Sequence, residues 1–272
     1  GASGEYAYSS QHTTDGGYIV AGLADSNDGD VTGHLGNGDF WVVKLNSSGN
    51  IEWQRCLGGA SVDYANSIQQ TTDGGYIAAG GTNSNDVDVS GNHGNGDFWV
   101  VKLNSSGNIQ WQKCLGGTGL EFANSIQQTT DDGYIVVGQT NSNNGDVSGN
   151  PGDVVFWVVK LNSAGNIQWQ KCLGGTGSEG ANSVQQTTDG GYILSGSTTS
   201  NNVDVSGNHG SVDAWVVKLN SSGNIQWQKC LGGTGLDVAS SIQQTAEGGF
   251  IVAGFTDSDD GDVMGQHGNG DG

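Results

Sequence analysis

A repeat of 58 residues constrains the fold of this chain more than any other feature of its sequence. Residues 40–59 have the pattern of two short strands joined by a turn, with Trp41 in the first strand and Trp53 in the second. Repeated units share one continuous core, so the repeat overrides the one or two separate domains expected from 272 residues. The first tryptophan recurs, at steps of 58 residues, as Trp99, Trp157 and Trp215.

Each repeat contains four strand signals, which we name strands a to d. In the first repeat strand a covers residues 6–14 and strand b residues 18–22, with Asp15-Gly16 between them. An Asp-Gly pair between two β-prone runs predicts a hairpin, because Gly adopts a positive φ without steric cost. Strand c contains Trp41, and strand d contains Trp53. Since no apolar series has helical spacing, the pattern predicts a four-stranded antiparallel meander.

One such sheet cannot cover both of its apolar faces, but stacked sheets can, and radial stacking gives a β-propeller. We therefore predict an all-β fold, a single β-propeller domain of four-stranded antiparallel blades. The sequence has five a–b hairpins but four c–d hairpins, which predicts five blades with the last one incomplete. A four-bladed ring or a larger assembled ring is the alternative. The predicted repeats are 1–58, 59–116, 117–174 and 175–232, followed by a partial repeat 233–272.

The net charge of −20 argues against several classes of partner. Only eight basic residues are present and they form no basic patch, so nucleic acid and anionic membranes are poor partners. No apolar run is long enough to cross a bilayer. No signal peptide precedes the first repeat, so we expect either the mature form of a secreted protein or a cytosolic one. An unfinished blade would expose the edge of strand b, which favours self-association.

The loop between strands b and c carries many oxygen ligands, as in the window from Asp25 to Val31. Ca²⁺ takes six to eight oxygen atoms, so the alternating acidic and amide residues make calcium the cofactor to consider. The fifth window position is Gly or Val, which does not match an EF-hand, and Asx-turns without metal are the competing interpretation. The candidate ligands are Asp25, Asn27, Asp30, Asp88, Asp146, Asp204, Asp257, Asp259 and Asp262.

A second acidic residue precedes strand c, and an aromatic residue often follows it. Sugar sites combine a carboxylate or amide with an aromatic platform, so these pairs predict a carbohydrate site. Val155 and Ala214 interrupt the two series. The candidates are Asp39 with Phe40, Asp97 with Phe98, and Asp213, and Asp271 continues the acidic series.

Three motifs of the repeat resemble a known group of proteins. They are residues 16–22 (Gly-Gly-Tyr-Ile-Val-Ala-Gly), residues 26–33 (Ser-Asn-Asp-Gly-Asp-Val-Thr-Gly) and residues 99–117, from Trp99 to Gly117. Together they resemble repeats of secreted and cell-surface β-propeller proteins of bacteria and archaea, and distantly the repeats of PQQ-type propellers. The resemblance implies an extracellular or cell-surface location, with strand a innermost and strand d outermost. No residue matches a quinone site, so no quinone cofactor is expected.

Repetition argues against catalysis, because near-identical units offer several equal pockets where an active site needs an asymmetric set of groups. The chain has no nucleophile elbow and no phosphate loop. We therefore predict a non-catalytic, multivalent binding or adhesion module, lectin-like, with glycans or surface proteins as partners. A structural repeat scaffold without ligand is the alternative, and a glycoside-processing enzyme is a third, more distant one.

Overall fold

A computed structural model describes residues 1–265, which form strands and turns; no helix that could span a membrane occurs in this range. The strands form four antiparallel sheets of four strands and one antiparallel sheet of two. The strands are β1 (Glu5–His12), β2 (Tyr18–Ala24), β3 (Asp39–Leu45), β4 (Ile51–Leu57), β5 (Asp63–Gln70), β6 (Tyr76–Thr82), β7 (Asp97–Leu103), β8 (Ile109–Leu115), β9 (Glu121–Gln128), β10 (Tyr134–Thr140), β11 (Val155–Leu161), β12 (Ile167–Leu173), β13 (Glu179–Gln186), β14 (Tyr192–Thr198), β15 (Asp213–Leu219), β16 (Ile225–Leu231), β17 (Asp237–Gln244) and β18 (Phe250–Thr256).

The predicted meander is confirmed, since the sheet orders are β1-β2-β3-β4, β5-β6-β7-β8, β12-β11-β10-β9 and β13-β14-β15-β16, with β17-β18 after them. The predicted a–b hairpin is also present. Gly16 has a φ of 84°, and the Asp15 carboxylate accepts hydrogen bonds from Thr13 Oγ1 at 2.5 Å and Gly17 N at 3.0 Å. The aspartate thus satisfies donors inside the turn, as Asx-turns do.

By its contacts the chain divides into two compact units. The first comprises residues 1–134, 144–146 and 161–166, and the second comprises residues 135–143, 147–160 and 167–272. The sequence predicts a single domain, and that remains a prediction. The partial repeat 233–272 extends past the described residues.

Tryptophans of strand c fill the core of each unit. In the first unit Trp99 is fully buried and meets Phe40 edge-to-face, with ring centroids 5.2 Å apart. In the second unit Trp215 is buried against Phe156 at 4.7 Å. The indole N–H of Trp99 donates to Gln112 Oε1 at 2.9 Å, so the buried donor keeps a partner. Within each unit, strand c of one sheet therefore packs against the preceding sheet.

Side chains of strand a join consecutive a strands within each unit. In the first unit Gln128 N donates to Gln69 Oε1 at 2.7 Å. A bulge at Asn66 interrupts the β5–β6 register, and its amide donates to Ala123 O at 2.9 Å. The second unit repeats the contact, with Gln244 N donating to Gln185 Oε1 at 2.6 Å. These polar residues therefore link consecutive a strands within each unit.

Two exposed valines occupy strained backbone conformations in the b–c loop. Val87 and Val203 have φ of 57° and 59°, where other copies place Gly29 and Gly145. A left-handed conformation costs an L-residue roughly 1–2 kcal/mol, and a β-branched one is a genuine outlier. Val87 is 71 % exposed, so no core contact offsets this cost.

We expect Val87→Gly to raise the unfolding free energy by about 1 kcal/mol, because Gly relieves the strain at a site that buries little. Thermal melts should show a rise of about 2–4 °C. Val203→Gly should act alike, whereas Val87→Ala keeps a Cβ and should gain less. An unchanged melting temperature for both glycine variants would contradict the strain argument.

Candidate functional site

The residues predicted to bind carbohydrate begin strands c and are inaccessible. Asp39, Asp97 and Asp213 are fully buried, as are Phe40 and Phe98. Because Phe40 packs on Trp99 in the core, no face of its ring is open to a sugar. The prediction of a sugar site at these five residues is therefore corrected, because their side chains are buried in the core. Asp271 lies outside the described residues.

The buried acids hold the b–c loop in place. Asp97 Oδ2 lies 2.6 Å from His93 Nδ1 and accepts from His93 N at 3.2 Å. Burial raises the pKa of Asp97, although the His93 contacts oppose this shift. Glu121 is also buried, and a Cβ on Gly116 would meet both carboxylates. The nearby Glu121 carboxylate adds a smaller contribution, which raises the pKa of Asp97 in the same direction as burial.

The residues predicted to bind calcium make hydrogen bonds within the loop or to the d-to-a connection. Asn27 Oδ1 accepts from Gly33 N at 3.1 Å, and Asp88 Oδ2 accepts from Gly58 N at 3.4 Å. Asp146 and Asp204 repeat the second contact with Gly116 and Gly174. Among residues 1–265 no group of three His, Cys, Asp or Glu residues could hold a metal. The donor set fits Asx-turns better than Ca²⁺, and calcium stays a prediction.

The remaining predicted ligands are spread over the first and last loops. Asp25 and Asp30 are exposed, and so are Asp257, Asp259 and Asp262. Asp257 Oδ1 accepts a hydrogen bond from Leu236 N, a contact that again joins the loop to the chain before strand a.

A cleft of about 350 Å³ in the first unit offers a different candidate site. It lies beside the a–b turn of one repeat and the d strand of the same repeat, and it combines one half-buried indole with carboxylate, amide and hydroxyl groups. Its lining residues are Thr72, Asp73, Lys102, Gln110, Trp111, Gln128, Asp132, Tyr134 and Ser163.

Lys102 forms the polar centre of this cleft. Its side chain is almost fully buried, yet Nζ lies 2.9 Å from Asp73 Oδ2 and donates to Gln110 Oε1 at 3.1 Å. It also donates to Leu103 O at 3.1 Å. Burial would raise the pKa of Asp73, but hydrogen bonds from Thr71 and Lys102 outweigh it and set that pKa at about 2. Asp73 is therefore an ionised acceptor at neutral pH.

Trp111 supplies the apolar surface. Its ring meets the buried Tyr134 edge-to-face at 5.8 Å. On another side it contacts the turn at Gly165, where an added Cβ would lie 2.8 Å from Trp111 Cζ3. The indole remains half-buried, so it packs between repeats and still lines the cleft. An indole held by two neighbours is a rigid platform for a flat apolar ligand face.

A second cavity of about 290 Å³ adjoins the first. The two share Thr72, Gln128 and Asp132. Gln128 Oε1 accepts from Thr72 N at 2.9 Å, and Gln128 Nε2 donates to Thr72 Oγ1 at 3.2 Å. The cavities therefore form one groove rich in amides and hydroxyls.

Asp132 distinguishes this groove from its counterparts in other repeats. It has a φ of 61° at the turn position where the other copies have Gly16, Gly74, Gly190 and Gly248, all with positive φ. Aspartate tolerates this conformation better than most residues, but the conformation still costs free energy of folding. It is exposed and lines both cavities. A strained acidic residue in a groove is a reason to suspect function.

The same constellation recurs along the chain. In the first unit Lys44 lies 2.9 Å from Asp15, and Trp53 meets Tyr76 at 5.7 Å. In the second unit Lys218 lies 2.9 Å from Asp189, and Trp227 meets Phe250 at 5.7 Å. The arrangement is therefore a property of the repeat.

Sequence reasoning missed this groove, although one signal was available. Each apolar strand c carries a lysine, and in the observed register Lys102 lies directly opposite Trp111. A charged residue in a buried strand requires a partner, which the a–b turn supplies.

Comparison with known proteins adds little. No family model matches the chain, and no curated protein does. It is similar in structure to a protein of unknown function from Bacteroides caccae, with 13 % identity and a TM-score of 0.45 over 82 % of this chain and 66 % of that one. It is also similar to Sqt1 from Chaetomium thermophilum, with 12 % identity and a TM-score of 0.36 over 88 % and 63 %. The chain thus spans slightly less than two thirds of either length.

We expect the protein to become more stable as the pH falls from 7.5 to 5. The pKa values of Asp39, Asp63, Asp88 and Asp97 are raised in the folded state, chiefly by burial. A raised carboxyl pKa means that the folded state binds the proton more tightly than the unfolded state does. The protein therefore loses stability as the pH rises above the carboxyl pKa of the unfolded state, which is near 4. Thermal melts across this window should show it.

Asp97→Asn is the matched variant for this test. The amide oxygen can still accept from His93, while the ionisation penalty at residue 97 disappears, so the pH dependence should flatten. A melting temperature that falls between pH 7.5 and 5 in the parent protein would contradict the assignment.

Proposed function

We propose that this protein is a non-catalytic, multivalent saccharide-binding module, with the groove around Trp111 as one of its sites. The observation that carries the proposal is the cleft of about 350 Å³ in which an indole meets carboxylates, amides and hydroxyls. A sugar ring presents a C–H face that packs on an indole and hydroxyls that donate to carboxylates and accept from amides.

The charge of the groove selects among saccharides. Lys102 is neutralised by Asp73, and Asp132 adds a further negative charge. The whole chain has a net charge of −20. Neutral sugars and amino sugars therefore fit better than sulfated or uronic-acid glycans, which both the local and the global field repel.

Recurrence of the Lys–Asp–Trp constellation supports multivalency. Several weak sites acting in parallel can gain roughly 10²–10⁴ in avidity on a glycan surface. An extracellular or cell-surface location, where such surfaces occur, belongs to the same proposal.

We also propose that the repeated sheets are blades of a β-propeller, with five blades as the favoured number. Support comes from the hydrogen bonds between consecutive a strands within each unit, as between Gln128 and Gln69. Such contacts are expected where strand a is the innermost strand of every blade.

A glycan array tests the function, and calorimetry with chitotriose and cellotetraose tests the site. Asp132→Gly should weaken binding at this groove by on the order of tenfold, because it removes one charged hydrogen-bonding group. The stability of the variant should not fall, since Gly suits the positive φ.

Val87→Gly is the matched control, because it relieves the same kind of strain outside the groove and should leave affinity unchanged. Equal affinities for the parent protein and Asp132→Gly would remove the groove from the proposal. Absence of binding to every array glycan would overturn the function and favour a scaffold without ligand.

A further inference from the structure

Within residues 1–265 the sheet β17–β18 has two strands, whereas its counterparts have four. Strand β14 pairs with both β13 and β15, whereas within residues 1–265 strand β18 pairs only with β17. The register of β17 with β18 matches that of β13 with β14, since Ala239 faces Gly254 as Ala181 faces Gly196. The strand is thus fully formed, and its second edge is open.

Apolar side chains on β18 are exposed where equivalent ones are buried. Ile251 is 62 % exposed, whereas the equivalent Ile19, Ile77 and Ile193 are fully buried. Phe255 is also exposed. Burying such side chains contributes about 1.5–3 kcal/mol each, so a partner that covers this face would gain substantially.

An apolar cavity of about 290 Å³ borders β18. In the complete sheets the strand-c tryptophan pairs with the strand-b glycine, as Trp215 does with Gly196. The corresponding Gly254 lines this cavity, and so does Ala214. Ala214 is the equivalent of Phe156, the residue that contacts Trp215. The cavity therefore lies where the next strand c would place its indole.

Trp227 provides a second vacant contact. Turn glycines of the next c–d hairpin lie against the equivalent rings, Gly107 against Trp53 and Gly165 against Trp111. No described glycine lies against Trp227 in this way, and its exposure is 41 %.

Charge completes the pattern. In three of the complete sheets the strand-c lysine binds the acidic residue of the a–b turn, as Lys218 binds Asp189 at 2.9 Å. The equivalent acid of the last hairpin is Glu247, which is exposed and has no ion pair among the described residues. It is available for a lysine.

We propose that the β17–β18 sheet is a docking site for a β-hairpin of the repeat's own strand c–strand d sequence. The hairpin places its tryptophan in the cavity at Gly254, its lysine on Glu247 and its turn glycine against Trp227. This interaction is independent of saccharide binding and adds a strand to an open edge by main-chain hydrogen bonds.

Edge-to-edge pairing of two copies fits the site less well. The second copy would present its own β18, which carries neither a tryptophan nor a lysine. Its tryptophans Trp99, Trp157 and Trp215 are buried in their own sheets. Filling the cavity from a second copy would require opening one of those sheets.

The test uses a synthetic peptide with the sequence of residues 97–115, with Cys114→Ser to prevent oxidation. Titrated into the full chain, it should bind with one-to-one stoichiometry, raise the melting temperature and protect β18 amides from hydrogen exchange. Peptides carrying Trp99→Ala or Lys102→Glu should each bind at least tenfold more weakly.

Charge reversal in the protein provides the matched control. Glu247 is exposed, so Glu247→Lys should leave the fold intact, weaken the parent peptide and restore binding of the Lys102→Glu peptide. Absence of peptide binding would overturn the proposal. Dimerisation by sedimentation, with β18 protected in the dimer and no response to peptide, would overturn it in favour of self-pairing.

Discussion

Burial of a strand-c tryptophan against the preceding sheet is the contact on which the rest of each compact unit depends. Trp99 lies against Phe40 of the preceding sheet and pairs through its N–H with Gln112 of its own. A buried indole removes about 150–250 Å² from water, while an unpaired N–H would cost part of that gain. Gln112 therefore allows the ring to be buried without that loss.

The polar contacts of the repeat follow from the same stacking. Consecutive sheets approach closely along strand a, where Gln69 and Asn66 reach the next strand. The nearly buried Lys102 of strand c reaches Asp73 of the a–b turn at 2.9 Å. This ion pair and the half-buried Trp111 line the groove to which we assign binding. The site is thus a consequence of how the repeat resolves a buried charge.

The strands and turns could be predicted because their signals are local. Alternating apolar residues, the Asp15-Gly16 turn and the absence of helical spacing are all readable within one repeat. The burial of Asp39 and Phe40 was not, because it depends on the next repeat: Asp63 N donates to Gly38 O at 2.8 Å and brings that strand over the loop. The end of a loop that is polar in sequence is therefore buried by the first strand of the next repeat.

The groove was also hidden by register. A register shift between Lys102 and Leu103 sets Lys102 opposite Trp111, and no composition rule specifies where such a shift falls. Asp132 stood out only once its φ of 61° was known. By contrast, the sequence of every strand c contains a lysine. A buried lysine needs an acidic partner, and the aspartate of the a–b turn is a candidate in the sequence.

Side-chain NMR during a saccharide titration tests the central claim most directly. With ¹⁵N-labelled protein and chitotriose or cellotetraose, the account predicts shifts of the Trp111 indole N–H and the Gln128 amide. The indole of Trp99, buried in the core, should not move. Saturable shifts confined to the b–c loop residues, with Trp111 and Gln128 unmoved, would contradict the account.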